Sequence, residues 1–426
     1  MLFIGLILVL LLPQPIAAAE LELPPALLQA VAEHERLEKA RQEVTAARQR
    51  VRESRGDWYP ELDVSAQGGW EKQDRANGQT TELTAREVDV KISQQLWTFG
   101  ATRADVSIAE QQLALARLAL VTERQALLLE AAQAHANLRR AHAVKEFALE
   151  SAANIRQQTG VEEVRIAVGS GVSTDLLQAK TQLAGAQARR VQAQTGLVQA
   201  QNRYRAIFRQ PPPTPASLKP IPIPTAALPD TLTQALAIAE QDNFELRRLY
   251  LSANVARARL TRARRSELLP TVEGSAEYKR KNNVAGIPGR EDEWIFMLEL
   301  SFPLNLGLTS FNTIGANKAD WQAAEQELLA AKRTVLEGVR NAWQQHTAAK
   351  ERAGFLQNQA DIAKAFLELA KEERKLGKRS LIDVLSGETS LINAQSDARA
   401  AQTDVLLTAL GILRQLGRLR IAAEPQ

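Results

Sequence analysis

Residues 101 to 159 contain neither glycine nor proline, a run of 59 positions. Leu, Ala and Val recur there at three- and four-residue spacing between Gln and Arg positions, the pattern of an amphipathic helix packed as in an extended coiled coil. Sixteen of residues 101–165 are alanine, the best helix former and small enough to let helices approach closely. A helix over 101–165 would be about 97 Å long at about 1.5 Å per residue. A counterpart is expected over residues 308–376, because 304 to 424 contains no proline. No globular domain of this size accommodates two such helices, so they must form a rod or a tube.

The remaining punctuation is uneven. Eight of the seventeen prolines lie within 211–229. That cluster predicts a stiff, extended connector that cannot be helical. It separates two halves that match each other at nearly constant offset. Tyr59-Pro60-Glu61-Leu62 corresponds to Leu269-Pro270-Thr271-Val272, and Leu96-Trp97-Thr98-Phe99-Gly100 to Pro303-Leu304-Asn305-Leu306-Gly307. Val168-Gly169 followed by Asp175-Leu176-Leu177 corresponds to Leu376-Gly377 followed by Asp383-Val384-Leu385. The reading is a duplicated unit of about 200 residues: a first repeat over 20–210, the connector over 211–229, and a second repeat over 230–426.

Each half reads helix, strand, strand, long helix, turn, helix. A helix over 24–55 precedes strands at about 58–74 and 85–99. In the second half the strands fall at about 269–281 and 292–304. Tip turns are expected at 168–174 and 377–380. Leu62, Val64, Ala66, Gly68 and Trp70 alternate with Asp63, Ser65, Gln67, Gly69 and Glu71, which gives a strand one apolar and one polar side. Val88, Val90 and Ile92 repeat the pattern, as do Val272, Gly274, Ala276 and Tyr278. Trp294, Phe296, Leu298, Leu300 and Phe302 form the fourth apolar face. Four strands cannot close a barrel alone, and open edges are not tolerated in lipid, so a membrane crossing would require several chains to pool them. Trp58, Tyr59, Trp97, Phe99, Tyr278, Trp294 and Phe302 lie near strand ends, where an outer-membrane barrel places its aromatic girdle.

Residues 2–12 are an apolar run too short to span a bilayer, followed by Ala17-Ala18-Ala19 and Glu20. This is the pattern of a signal peptide over 1–19 with an A-x-A cleavage site, although its n-region lacks Lys and Arg. Zero cysteines exclude a disulfide scaffold, a Cys-zinc site, an Fe–S cluster, a thiol nucleophile and a cysteine-linked lipid anchor. A net charge of +4 on 426 residues is near balance and gives little reason to expect a nucleic-acid partner. His135 and His142 are seven apart on one helix, but no His-Glu-x-x-His or other metal spacing accompanies them. No cofactor, metal site or catalytic constellation is expected. Arg262, Arg264 and Arg265 read as a small solvated basic cluster.

Two repeats, each with a hairpin and a very long helix, resemble the TolC-type outer-membrane channel proteins of Gram-negative bacteria. Leu-Trp-Thr-Phe-Gly100 resembles that family's strand-to-helix junction. Val-Gly-Ser-Gly-Val-Ser-Thr-Asp175 and Leu-Gly-Lys-Arg-Ser-Leu-Ile-Asp383-Val-Leu resemble its two helix-hairpin tips. The fold class implied is an α-dominated membrane protein with β structure, built from a duplicated helix–β-hairpin–long helix–helix repeat. Three chains would form a 12-stranded β-barrel in the outer membrane, continued by a long α-helical barrel into the periplasm. The polar faces, including Asp63, Glu71, Asp89, Lys91, Glu273, Glu277 and Glu299, would line water, and the apolar faces would meet outer-membrane lipid.

The resemblance also implies a non-catalytic exit duct of a tripartite efflux or type I secretion system, a homotrimer working with a periplasmic adaptor and an inner-membrane transporter. Its cargo would be small molecules, ions or polypeptides. By the same resemblance Asp175, Arg379 and Asp383 would form the periplasmic gate, with an Asp175–Arg379 contact restraining the closed state. Ser386 stands where the family often carries a further Asp. Val168, Gly169, Leu376, Gly377 and Ser380 would dock the adaptor. The residues alone also allow Gly169 and Gly377 to be ordinary helix C-caps, and Ser173, Thr174 and Ser380 to be N-caps. A secreted coiled-coil structural or adhesion protein is the competing reading, and a periplasmic enzyme with a helical accessory domain a third. Apolar strand faces turned to solvent argue against the former, and the lack of a nucleophile–base or metal set against the latter.

Overall fold

The computed structural model describes residues 19–21, 25–75, 78, 80–170, 172–304 and 306–421. Apart from Ala19, the expected signal peptide lies outside them. The elements in chain order are β1 (Ala19–Leu21), α1 (Pro25–Ala32), α2 (Glu35–Gly56), β2 (Glu61–Asp74), β3 (Thr80–Trp97), α3 (Ala101–Ala167) and α4 (Ser173–Phe208). There follow α5 (Leu232–Asp242), α6 (Phe244–Leu268), β4 (Thr271–Asn282), β5 (Arg290–Ser301), α7 (Thr309–Lys375), α8 (Leu381–Gln415) and β6 (Leu419–Ile421).

The two long helices are each 67 residues. Their starts, Ala101 and Thr309, and their ends, Ala167 and Lys375, both differ by 208 positions. Residues 24–55 hold two helices where the periodicity predicts one. The break falls at Glu33–His34, where the buried His34 accepts the Arg36 N–H on Nδ1 and so caps α2. Arg36 then reaches α3 through Glu123 and Glu130. The equivalent break in the second half is at the buried Asn243, whose side chain donates to the Gln415 carbonyl at 2.7 Å.

The described chain divides into two compact units that cut across the repeats. Of the described residues, one comprises those up to 38, 121–244 and those from 332 to 421; the other comprises those of 39–120 and 245–331. The reason is helix length. Each long helix runs out of one unit into the other, so each repeat contributes to both. The first unit is helical apart from the β1–β6 parallel pair and the 211–229 connector. Leu127, Leu128, Leu138, Ile155, Phe208, Leu381, Leu385, Leu410 and Leu413 are buried in it. The 211–229 connector contains two short 3-10 turns, at Pro215–Ser217 and Thr225–Ala227. It is held down by buried Leu218 and Ile221, and by His135, whose Nε2–H donates to the Lys219 carbonyl at 2.8 Å. Burial lowers the pKa of His135, so it serves as a neutral hydrogen-bonding group.

The second unit carries a four-stranded antiparallel sheet in the order β2-β3-β4-β5. β3 begins at Thr80 instead of about 85. Cross-strand contacts extend the pairing: Lys72 to Glu82 at 2.6 Å, and the Thr80 hydroxyl to Asp74. The register stacks the apolar positions into rows. Val64 lies opposite Val90, Val90 opposite Tyr278, and Tyr278 opposite Trp294. Leu62, Ile92, Ala276 and Phe296 make the next row. The other face carries Asp63, Lys91 and Glu277 in one row and Glu273 opposite Glu299 in another.

Candidate functional site: the two-faced sheet and the helix-hairpin tips

The apolar side of the sheet is bare within the chain. Trp294, Phe296, Leu298 and Leu300 are each about two-thirds to three-quarters exposed, and Leu62, Val64 and Trp70 are comparable. So large a contiguous apolar patch marks a surface that meets another apolar phase. Trp97 joins this face through a β-bulge: the register shifts between Gln95 and Trp97, which brings Trp97 opposite Val272. Strict alternation would have placed Trp97 on the polar side. Trp58, Tyr59, Trp97, Phe99 and Phe302 are exposed around the end where the strands meet the helices. Tyr278 and Trp294 form a second aromatic group, with ring centroids 4.7 Å apart.

The strand-to-helix junction is braced. Phe99 and Gly100 adopt left-handed φ of 50° and 87°. The Gly100 carbonyl accepts from Arg265 Nη1 at 2.8 Å, and Arg262 pairs with Asp105. Arg262 and Arg265, expected to be merely solvated, thus tie α6 to the start of α3. A Cβ on Gly100 would sit 2.6 Å from the Arg265 guanidinium, so glycine serves both the turn and this contact.

Both hairpin tips end their long helix in the same way. Gly169 (φ 79°) and Gly377 (φ 71°) donate to Ile166 and Arg374, and Ser170 and Lys378 donate to Arg165 and Glu373. These are paired Schellman caps. Ser380 caps α8, its hydroxyl accepting the Asp383 N–H at 3.2 Å. The first hairpin has no such cap: Val172 stands at the N-cap of α4 without a side-chain bond, and neither Ser173 nor Thr174 takes the role. Val168 and Leu376 project at each turn, more than 70% exposed.

Asp175 lies in the first turn of α4 and Asp383 in that of α8. Within the chain Asp175 and Arg379 do not meet. Arg379 is paired with Glu373, stands over the Phe366 ring, and has Asp383 at 4.0 Å. Among the described residues Asp175 has no ion pair in its own chain.

The strongest polar contacts near the tips come from residues that sequence reasoning passed over. Glu162 is 4% exposed and accepts from Arg374 Nη2 at 2.9 Å, while Arg374 Nη1 donates to the Arg379 carbonyl. Glu388 is 3% exposed and pairs with Lys371 at 2.6 Å. One signal for the second pair is present in the duplication. Lys371 and Glu388 lie 208 positions beyond Glu163 and Lys180, which pair at 2.9 Å in the first hairpin. The same bridge recurs with its charges exchanged. No group of His, Cys, Asp and Glu suited to a metal occurs among the described residues. No helix among them is long and apolar enough to cross a membrane.

A duplicated helical hairpin bearing a sheet with one bare apolar face defines a class of membrane duct in which strands, not helices, meet the lipid. Comparison with known proteins agrees. The family described as outer membrane efflux protein matches residues 26–208 and 235–418, and the chain belongs to that family. It is 26% identical over 379 residues to outer membrane protein TolC of Vibrio cholerae, covering 88% of this chain and 85% of that protein. It is also 26% identical over 345 residues to outer membrane efflux protein BepC of Brucella suis, covering 80% and 74%. Its fold matches the Campylobacter jejuni CmeC outer membrane channel with a TM-score of 0.79 at 14% identity, over 94% of this chain and 87% of that one. The protein is an outer-membrane exit duct for passive transport, extends into the periplasm and is not an enzyme. The adhesion and enzyme readings fall with this result.

Proposed function

We propose that three copies of the chain pool their sheets into a 12-stranded barrel whose polar face lines water, continued by a helical tube. The sheet carries this reading. Its apolar rows are bare, and its outer strands β2 and β5 are 14 and 12 residues long with no partner strand beyond them among the described residues. Such edges are stable in lipid only when paired, and pairing β5 of one copy with β2 of the next closes the barrel. The helices support it independently. Phe355, Ile362 and Leu369 recur every seven residues along α7 and are all at least 60% exposed in the single chain. That is a coiled-coil seam awaiting a partner helix.

Trp58, Tyr59, Trp97, Phe99, Tyr278, Trp294 and Phe302 form the aromatic girdle of this barrel. Val168, Gly169, Leu376, Gly377 and Ser380 present the tip surface to a periplasmic adaptor, which links the duct to an inner-membrane transporter. Asp175, Arg379 and Asp383 form the gate. Since Asp175 has no ion pair in its own chain among the described residues, its contact with Arg379 would be made between copies, in competition with Glu373. The cargo is of the classes such ducts carry, namely small molecules, ions or polypeptides, with selection left to the transporter.

The test is planar-bilayer conductance of the detergent-extracted protein with its mass measured alongside. A heat-sensitive trimer with small, steady currents is expected, and Asp175→Ala should raise the single-channel conductance. A water-soluble monomer without currents would overturn the barrel. An unchanged conductance in Asp175→Ala would overturn the gate alone.

A further inference from the structure

Both hairpins of the sheet turn at the end remote from the helices. The β4–β5 loop, residues 283–289, is a fixed structure that folds back over the neighbouring hairpin. Asn283, Ala285, Gly286 and Gly289 all take left-handed φ, between 56° and 110°. The loop is closed on itself by the Asn283 N–H to the Gly289 carbonyl and the Gly289 N–H to Asn283 Oδ1, both at 2.9 Å.

It is then fastened to β2 and the end of that strand. Glu71 Oε2 accepts the Ala285 N–H at 3.1 Å, and Arg75 Nη2 donates to the Ala285 carbonyl at 2.9 Å. Gly286 is buried, and a Cβ there would stand 2.6 Å from Thr81 Oγ1 and 2.7 Å from Gln73 Oε1. The loop therefore lies flat against these side chains.

The face it covers matters. Gln73 is opposite Thr81, and Glu71 opposite Leu83, in the same register that places Asp63 opposite Lys91. Glu71, Gln73 and Thr81 thus share the polar side of the sheet. On the barrel reading, on which this inference rests, that side is the lumen. We propose that loop 283–289 is a size-limiting constriction at the outward mouth of the duct, three copies narrowing the exit and barring bulky solutes from entering from outside. Glu71 and Arg75 hold it in place, and Gly286 allows the close fit.

The absence of cysteine from the chain makes a clean test possible. Ser275→Cys places one thiol on the polar face, opposite Ser93 and Met297 and farther from the loop. Trimers are treated from the outer side with a small water-soluble maleimide and with a bulky polyethylene-glycol maleimide. With the native loop, the bulky reagent should react far more slowly than the small one. In Glu71→Ala/Arg75→Ala, which removes two loop contacts, the ratio of bulky to small labelling rates should rise about tenfold. Replacing 284–288 by an Asn-Gly turn should raise it at least as much, and serves if the double variant fails to trimerise. Equal bulky-to-small ratios in the native and loop-replaced proteins would overturn the constriction while leaving the barrel intact. A thiol reached by neither reagent would show that this face does not line water, overturning the barrel reading and the constriction together.

Discussion

Gly417→Ala is expected to lower the stability of the helical unit by about 3 kcal/mol or more, from two causes acting together. The residue has φ of 70°, where a Cβ alone costs about 1–2 kcal/mol. That Cβ would also stand 2.3 Å from the Asp242 carbonyl oxygen and 3.1 Å from its carbon. Both are backbone atoms, so no side chain can swing aside. The α5–α6 break would have to move, and with it the Asn243 hydrogen bond to Gln415. Gly169→Ala provides the contrast: its φ is 79°, but nothing lies within 4 Å of its Cβ, so only the strain remains. Thermal melts of the two variants in one detergent check this. Equal melting temperatures would show that the carbonyl contact is not what demands glycine at 417.

Arg374→Ala should be nearly as damaging, and in a different place. It leaves Glu162 buried with only Arg165, at 3.8 Å, to offset its charge. Removing one member of a buried pair typically costs about 3–5 kcal/mol, and the partial exposure of Arg374 points to the lower end. The loop from Leu376 to Ser380 also loses its tie to the Arg374 side chain. Amide exchange over the two tips, followed by mass spectrometry, should quicken in this variant while the connector region keeps its protection. The double variant Glu162→Leu/Arg374→Leu should regain most of the loss, since an apolar pair leaves no orphaned charge. If the single variant exchanges like the parent, the pair contributes nothing to holding the tip.

Much of this architecture was legible in the sequence because it rests on local chemistry. The want of proline dictates the long helices, alternation dictates the two faces of each strand, and Gly169 and Gly377 mark the turns. What escaped was the choice of neighbours. The resemblance implies a partner for Arg379 but not that Glu373, six residues before it, reaches it first. The bulge that turns Trp97 to the apolar face was not legible either, because a one-residue bulge leaves no trace in alternation. Periodicity could not foresee that the compact units would cut across the repeats, since that depends on how far each long helix runs beyond the sheet. The Glu162–Arg374 pair has no counterpart in the other half, where Ile166 and Ala370 occupy the equivalent positions, so duplication gave no hint of it.

The exchanged bridge at the tips bears on how such a chain avoids misassembly. A duplication leaves two hairpins of similar length and pattern within one chain. If α3 took the second hairpin's return helix in place of its own, Glu163 would face Glu388. If α7 took the first hairpin's, Lys371 would face Lys180. Each mistaken partnership sets like charges together where the correct one sets opposites, so the wrong pairing is penalised twice, once in each hybrid hairpin. One reversal of sign thus makes each hairpin's own return helix the electrostatically favoured one.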